Sequence, residues 1–188
     1  MHEIAVYGLS GDPITNGHRW VLEQTHQIYK KIFLVMATNH TKNYAFLPLE
    51  RITMCRTLAD EFPNVEFAVL TDEFLVKKAK TLGATVLLRG VRNNMDKEYE
   101  EGIELFNNWL APELVTVYVQ PPGELDDPPL LSPMEPPLSP HHPLIVRFVS
   151  SSLVRGIVGL KGWQEVAEKL VPSYVMPYLE SFSRRSKE

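Results

Sequence analysis

Gly8-Leu9-Ser10-Gly11-Asp12-Pro13-Ile14-Thr15-Asn16-Gly17-His18 separates two kinds of hydrophobic pattern. Before it, Ile4-Ala5-Val6-Tyr7 is a short β-rich run that reads as a first strand. After it, Val21-Leu22, Thr25 and Ile28-Tyr29 recur at helical spacing. A turn rich in Gly and Pro between a strand and a helix brings backbone close to a ligand and aims free N–H groups at an anion. His18 falls in the first turn of the helix, facing whatever the turn holds. Thr15 or Asn16 could equally be plain helix caps in an ordinary connection.

The alternation continues outward. β-rich runs appear at Ile32-Ala37, Val65-Leu70, Thr85-Leu88 and Val115-Val119, with helical patterns at Arg19-Tyr29, Leu49-Glu61, Glu73-Leu82 and Lys97-Trp109 between them. Five strands separated by four helices predict an α/β fold: a Rossmann-like parallel sheet covered by helices on both faces. In such sheets ligands bind beyond the carboxyl ends of the strands, where the strand order reverses. With the order 3-2-1-4-5, strands one and four are neighbours at that reversal. The His18 turn and the loop Arg89-Gly90-Val91-Arg92 would then meet, with Lys42 nearby. A solvated charge cluster is the competing account. It suits Lys77, Lys78 and Lys80 better than the two arginines that flank Gly90.

The 188 residues predict one domain spanning 1–188, and at 44% hydrophobic the chain can bury a full core. A net charge of −4 and the lack of a basic face argue against a nucleic-acid or membrane-surface partner. No segment approaches the length of a membrane span or has the pattern of a leader. One cysteine, Cys55, allows no internal disulfide and suggests a reducing, cytoplasmic setting. Its spacing with Ile52 and Leu58 marks it as a buried apolar residue.

From Pro121 to Pro143 the pattern breaks: nine of the fifteen prolines lie here, with almost no helix or strand signal. This reads as a Pro-rich insertion. His141-His142 within it has no Cys, Asp or Glu at ligand spacing, so no protein metal site is expected. An apolar run, Ile145-Val149, follows. Ser150-Ser151-Ser152 then offers hydroxyls and amides at an apparent helix start, where anions bind readily. The tail from Trp163 to Phe182 reads as one or two amphipathic helices, with Pro172 starting the second and Pro177 kinking or ending it. GxxxxGK[ST], GxGxxG and GxSxG motifs are absent.

These residues resemble a known family. Ser10-Gly11-Asp12-Pro13-Ile14-Thr15-Asn16-Gly17-His18 is similar to the [ST]xFDPxTxGH signature of nucleotidylyltransferases, and Val149-Ser150-Ser151-Ser152-Leu153-Val154-Arg155 to their ISSSxVR signature. Leu87-Leu88-Arg89-Gly90-Val91-Arg92 and Glu98-Tyr99-Glu100 resemble one branch, the bacterial-type phosphopantetheine adenylyltransferases. Thr15 points the same way, because nicotinamide mononucleotide adenylyltransferases usually have HxGH there.

The resemblance implies transfer of the adenylyl group of ATP to 4′-phosphopantetheine, giving dephospho-coenzyme A and pyrophosphate in coenzyme A biosynthesis. It implies that His18 contacts the α-phosphate and steadies the transition state. Lys42 and Arg89 would hold the acceptor phosphate, with Ser10 assisting. Arg92 and Ser150, Ser151 and Ser152 would hold the leaving phosphates. Gly11, Gly90, Val91, Glu100 and Val146 would contact the nucleotide, and Leu75 the pantetheine arm. Mg²⁺ would neutralise the triphosphate, and the assembly would be a homohexamer.

Three departures are visible. Gly11 replaces the family's Phe, loosening the turn and removing an aromatic contact. Trp20 stands where a small or acidic residue is common. The segment before Ser150 is about twenty residues longer than the family's, and Val146 replaces an aromatic. An adenylyltransferase for another phosphorylated acceptor, such as nicotinamide mononucleotide, or a non-catalytic nucleotide or coenzyme A sensor are the alternatives.

Overall fold

The computed structural model describes residues 3–38, 42–92, 94–121 and 143–186. The elements alternate as the sequence predicts: β1 (Ile4–Leu9), α1 (Asn16–Thr25), β2 (Lys31–Ala37), α2 (Pro48–Asp60), β3 (Val65–Leu70), α3 (Leu75–Thr81), β4 (Val86–Gly90), α4 (Asn94–Leu110) and β5 (Val115–Val119). Among the described residues, four more helices follow: α5 (Pro143–Phe148), α6 (Ser151–Ile157), α7 (Trp163–Leu170) and α8 (Met176–Arg185). The body of the proline-rich stretch, including His141-His142, lies outside the described residues. Among those residues, no helix is long and apolar enough to cross a membrane.

All strand pairs are parallel, in the order β3-β2-β1-β4-β5. Side chains alternate between sheet faces, and two hydrophobic layers result. Ala5, Tyr7, Leu9, Leu34 and Leu88 enter one layer with residues of α1, α2 and the C-terminal helices. Val6, Val35 and Leu87 enter the other with residues of α3. Each fully buried Leu or Val contributes about 1.5–3 kcal/mol relative to exposure, so both sheet faces are strongly committed. The chain leaves β1 toward β2 on one side and reaches β4 on the other. That divergence opens a crevice at the C-terminal end of β1.

Two readings change. Pro177 lies at the first positions of α8 and starts that helix rather than ending it, because proline's missing N–H costs nothing there. Pro172 precedes a 3-10 turn at Ser173–Val175. The apolar run Ile145-Val149 is largely helical, within α5. The C-terminal helix is tied back by Arg185, whose guanidinium donates to both Glu50 carboxylate oxygens at 2.8 and 3.0 Å.

Candidate active site

The β1–α1 turn is built around His18. Thr15 has extended backbone and caps α1, and His18 is the third helical residue. The Thr15 backbone N–H donates to His18 Nδ1 at 3.0 Å. The imidazole thus fills the place that Glu or Gln takes in a capping box. Because Nδ1 accepts, the neutral ring carries its proton on Nε2, at the edge turned away from the turn. Burial and the Arg92 guanidinium push His18 down to about 4. At neutral pH it is an uncharged Nε2–H donor.

The turn is clamped from three directions. The Asp12 carboxylate, 3% exposed, accepts the backbone N–H groups of Ala45 and Phe46, each at 3.0 Å. Arg155 of α6 pairs with the same carboxylate at 3.3 Å and donates to the Asp12 carbonyl. Ser151 Oγ donates to the Pro13 carbonyl at 2.8 Å. From α2, the fully buried Arg51 donates to the carbonyls of Ser10 (2.8 Å) and Ala37 (3.0 Å) and lies 3.7 Å over the Tyr44 ring. Arg51 thereby fixes the ends of β1 and β2 and seats the segment that carries Lys42.

Two glycines permit close approaches at the turn. Gly11 has φ +64°, and a Cβ there would lie 2.4 Å from Cys55 Sγ. The turn is therefore tight at Gly11, not loosened as the exchange for Phe suggests, and the buried Cys55 occupies the space beside it. Gly17 lets the start of α1 approach Val149, whose Cγ1 would be 3.1 Å from a Cβ. That contact brings Ser150-Ser151-Ser152 to the His18 turn.

A cavity of about 420 Å³ opens here. Of the residues singled out in the sequence, Ser10, His18, Lys42, Gly90, Val91, Arg92, Val146, Ser150, Ser151 and Ser152 line it. Arg92 is held as a two-pronged pair, Nε and Nη2 donating to the two Asp96 oxygens at 2.7 and 3.0 Å, while Nη1 donates to the Val149 carbonyl at 3.3 Å. Four basic side chains, His18, Lys42, Arg92 and Arg155, thus surround one space.

Gly11, Leu75, Arg89 and Glu100 are not among the lining residues. Gly11 lies beneath the turn. Arg89 follows Leu88 in β4, so alternation turns it to the opposite sheet face, where Leu75 also packs. There Arg89 Nε stands 3.3 Å from Glu100 Oε2, both buried and without a hydrogen bond. The expectation that both arginines share His18's cavity therefore holds for Arg92 alone. Asp12, Arg155 and Tyr7 line this cavity and Asp96 and Arg51 brace its walls, although the sequence reading did not single them out. Asp12 and Arg155 sit inside the two quoted signatures, and Asp96 lies one helical turn after Arg92.

Residues 7–157 match the family model described as cytidylyltransferase-like. A relative from Neisseria meningitidis serogroup B named phosphopantetheine adenylyltransferase is 33% identical over 171 residues, covering 91% of this chain and 88% of the relative. One of the same name from Chromobacterium violaceum is 29% identical, covering 91% and 92%. Another from Lactobacillus helveticus is 40% identical over 114 residues, covering 61% and 70%. Among solved structures, Plasmodium falciparum nicotinic acid mononucleotide adenylyltransferase complexed with NaAD superposes with a TM-score of 0.66 at 18% identity, covering 97% of this chain and 96% of that one. At that identity the likeness concerns the fold.

Proposed function

The chain belongs to the cytidylyltransferase-like family, among its phosphopantetheine adenylyltransferases, and from that premise we propose that it transfers the adenylyl group of ATP to 4′-phosphopantetheine, releasing pyrophosphate. The carrying observation is a neutral imidazole donor in one cavity with Arg92 and three serines. An acceptor phosphate oxygen attacks the α-phosphorus, and the bond from that phosphorus to the β-phosphate oxygen breaks. A phosphate monoester is already largely anionic at neutral pH, so no side chain need remove a proton. The enzyme's work is to align anions and stabilise charge as it redistributes.

His18 Nε2–H donates to a nonbridging oxygen of the α-phosphate. Arg92, the Ser150 and Ser152 hydroxyls and the Ser151 backbone N–H hold the departing phosphates, with Arg155 beside them, while the Ser151 hydroxyl stays on the Pro13 carbonyl. Lys42 and Ser10 guide the acceptor phosphate. Arg89 would meet that phosphate from the other sheet face and must leave Glu100 to do so. On that face a second recess, lined by Thr38, Leu70, Asp72, Glu73, Phe74 and Lys77, offers room for the pantetheine arm near Leu75.

Mg²⁺ fits as an ion that arrives with the nucleotide. The Asp12 and Asp96 carboxylates are already engaged by amides and guanidinium groups. The ion would take its oxygens from phosphates and water and neutralise the pyrophosphate. A cytoplasmic setting goes with this reading, in keeping with the single, buried Cys55. Self-association is supported by the exposed Leu105, Phe106 and Trp109 along α4.

Pyrophosphate release with ATP and either phosphopantetheine or nicotinamide mononucleotide tests the proposal. Turnover with phosphopantetheine, lost in His18→Ala, is expected. Turnover only with the other acceptor, or nucleotide binding without release, would replace it.

A further inference from the structure

Tyr7 is a polar residue of the cavity wall that the proposed chemistry does not use. It lies near the C-terminal end of β1, is 5% exposed, and lines the cavity. Its hydroxyl has no hydrogen bond among the described residues. The position a Cβ would take at Gly90 is 3.6 Å from that oxygen, which places it beside the β4 end. The ring is buried while the residue lines the cavity, so the hydroxyl is the part of Tyr7 left for a ligand. With no protein partner to compete, it is available to donate to a ligand that displaces cavity water.

What fills it there follows from the surroundings. Val21 packs against Gly90 from α1, and Val119 pairs with Gly90 in the sheet and enters the same hydrophobic layer as Tyr7. Trp20 and Val146 complete an apolar wall. The Arg89 and Arg92 guanidinium groups act on Tyr7 from the β4 end, but each is paired with a carboxylate, Glu100 and Asp96. Against the apolar wall itself a flat heterocycle would bury its faces and present ring nitrogens at its edge. We propose, resting on the adenylyl-transfer reading, that the Tyr7 hydroxyl is a specificity-determining contact that donates a hydrogen bond to a ring nitrogen of the nucleobase of ATP.

The test is Tyr7→Phe in the full chain, read by ATP titration calorimetry, by steady-state kinetics and by melting of the free protein. Loss of one neutral hydrogen bond should weaken ATP binding about three- to tenfold and narrow the preference for ATP over CTP. The KM for phosphopantetheine and kcat should stay within about twofold, and the free protein should melt no lower than the wild type. Equal ATP affinity in the two proteins would overturn the inference, as would an effect confined to the acceptor's KM. A lower melting temperature with unchanged ATP affinity would make Tyr7 a packing residue and also overturn it. If wild-type protein binds no ATP, the adenylyl-transfer reading falls first and this inference falls with it.

Discussion

The Thr15 backbone N–H donates to Nδ1 of His18 at 3.0 Å, so helix capping and the proton position of the candidate catalytic group are one interaction. Histidine NMR should find the Nε2–H tautomer and a titration near 4. The folded value lies below the ordinary 6.5, so the unfolded chain binds the extra proton first. Stability from this group is complete above about pH 6.5 and is lost as pH falls toward 4, by no more than about 1.4 kcal/mol per unit. His18→Gln, which preserves an acceptor for Thr15, should lack this dependence. A His18 titration at or above 6.5 would contradict the assignment.

Arg92 is aimed by Asp96. Arg92→Ala should lower kcat about 10²–10³-fold, the usual cost of losing a donor to developing charge. Asp96→Asn should cost less, because the guanidinium remains but one prong of its anchor weakens. If Asp96→Asn matched Arg92→Ala in full, Asp96 would have a direct role instead. Steady-state kinetics on both variants decide this.

Gly11→Ala should destabilise the protein by about 1–3 kcal/mol through overpacking against Cys55 Sγ and an unfavourable positive φ. Adding Cys55→Ala should return the packing part and leave the backbone part. Denaturant melts of the four proteins give the coupling directly. Strict additivity would show that the two residues do not press on each other.

The exposed stripe on α4 joins an aromatic cluster: Phe74 and Phe106 have ring centres 5.7 Å apart, and Phe106 and Trp109 6.0 Å. Trp109, 77% exposed, makes an informative substitution. Trp109→Glu should lower the sedimenting mass while leaving far-UV circular dichroism unchanged. A wild-type protein that sediments as a monomer would remove the basis for self-association.

Much of this architecture was legible because local signals agreed. The change from strand to helix periodicity around residues 8–18 located the crevice, and Ser150-Ser151-Ser152 announced the second piece of chain that reaches it. Arg89 shows where legibility ended. The β-rich reading Thr85-Leu88 stopped short of it, but the strand continues to Gly90, and alternation then sends Arg89 to the face opposite His18. Asp96, Arg51 and Tyr7 were hidden for another reason. Each acts through a contact set by packing between distant elements, or by one turn of a helix whose start was read too late. The helical state of residues 143–148 was ambiguous because a short apolar run has no resolvable period.

The most direct measurement is ³¹P NMR of the protein with ATP, Mg²⁺ and phosphopantetheine. The acceptor's phosphomonoester signal should be replaced by the paired signals of a bridging pyrophosphate diester, with free pyrophosphate appearing in equal amount, and neither should appear with His18→Ala. A monoester signal that persists unchanged beside intact ATP, or inorganic phosphate as the only product, would contradict adenylyl transfer at this site.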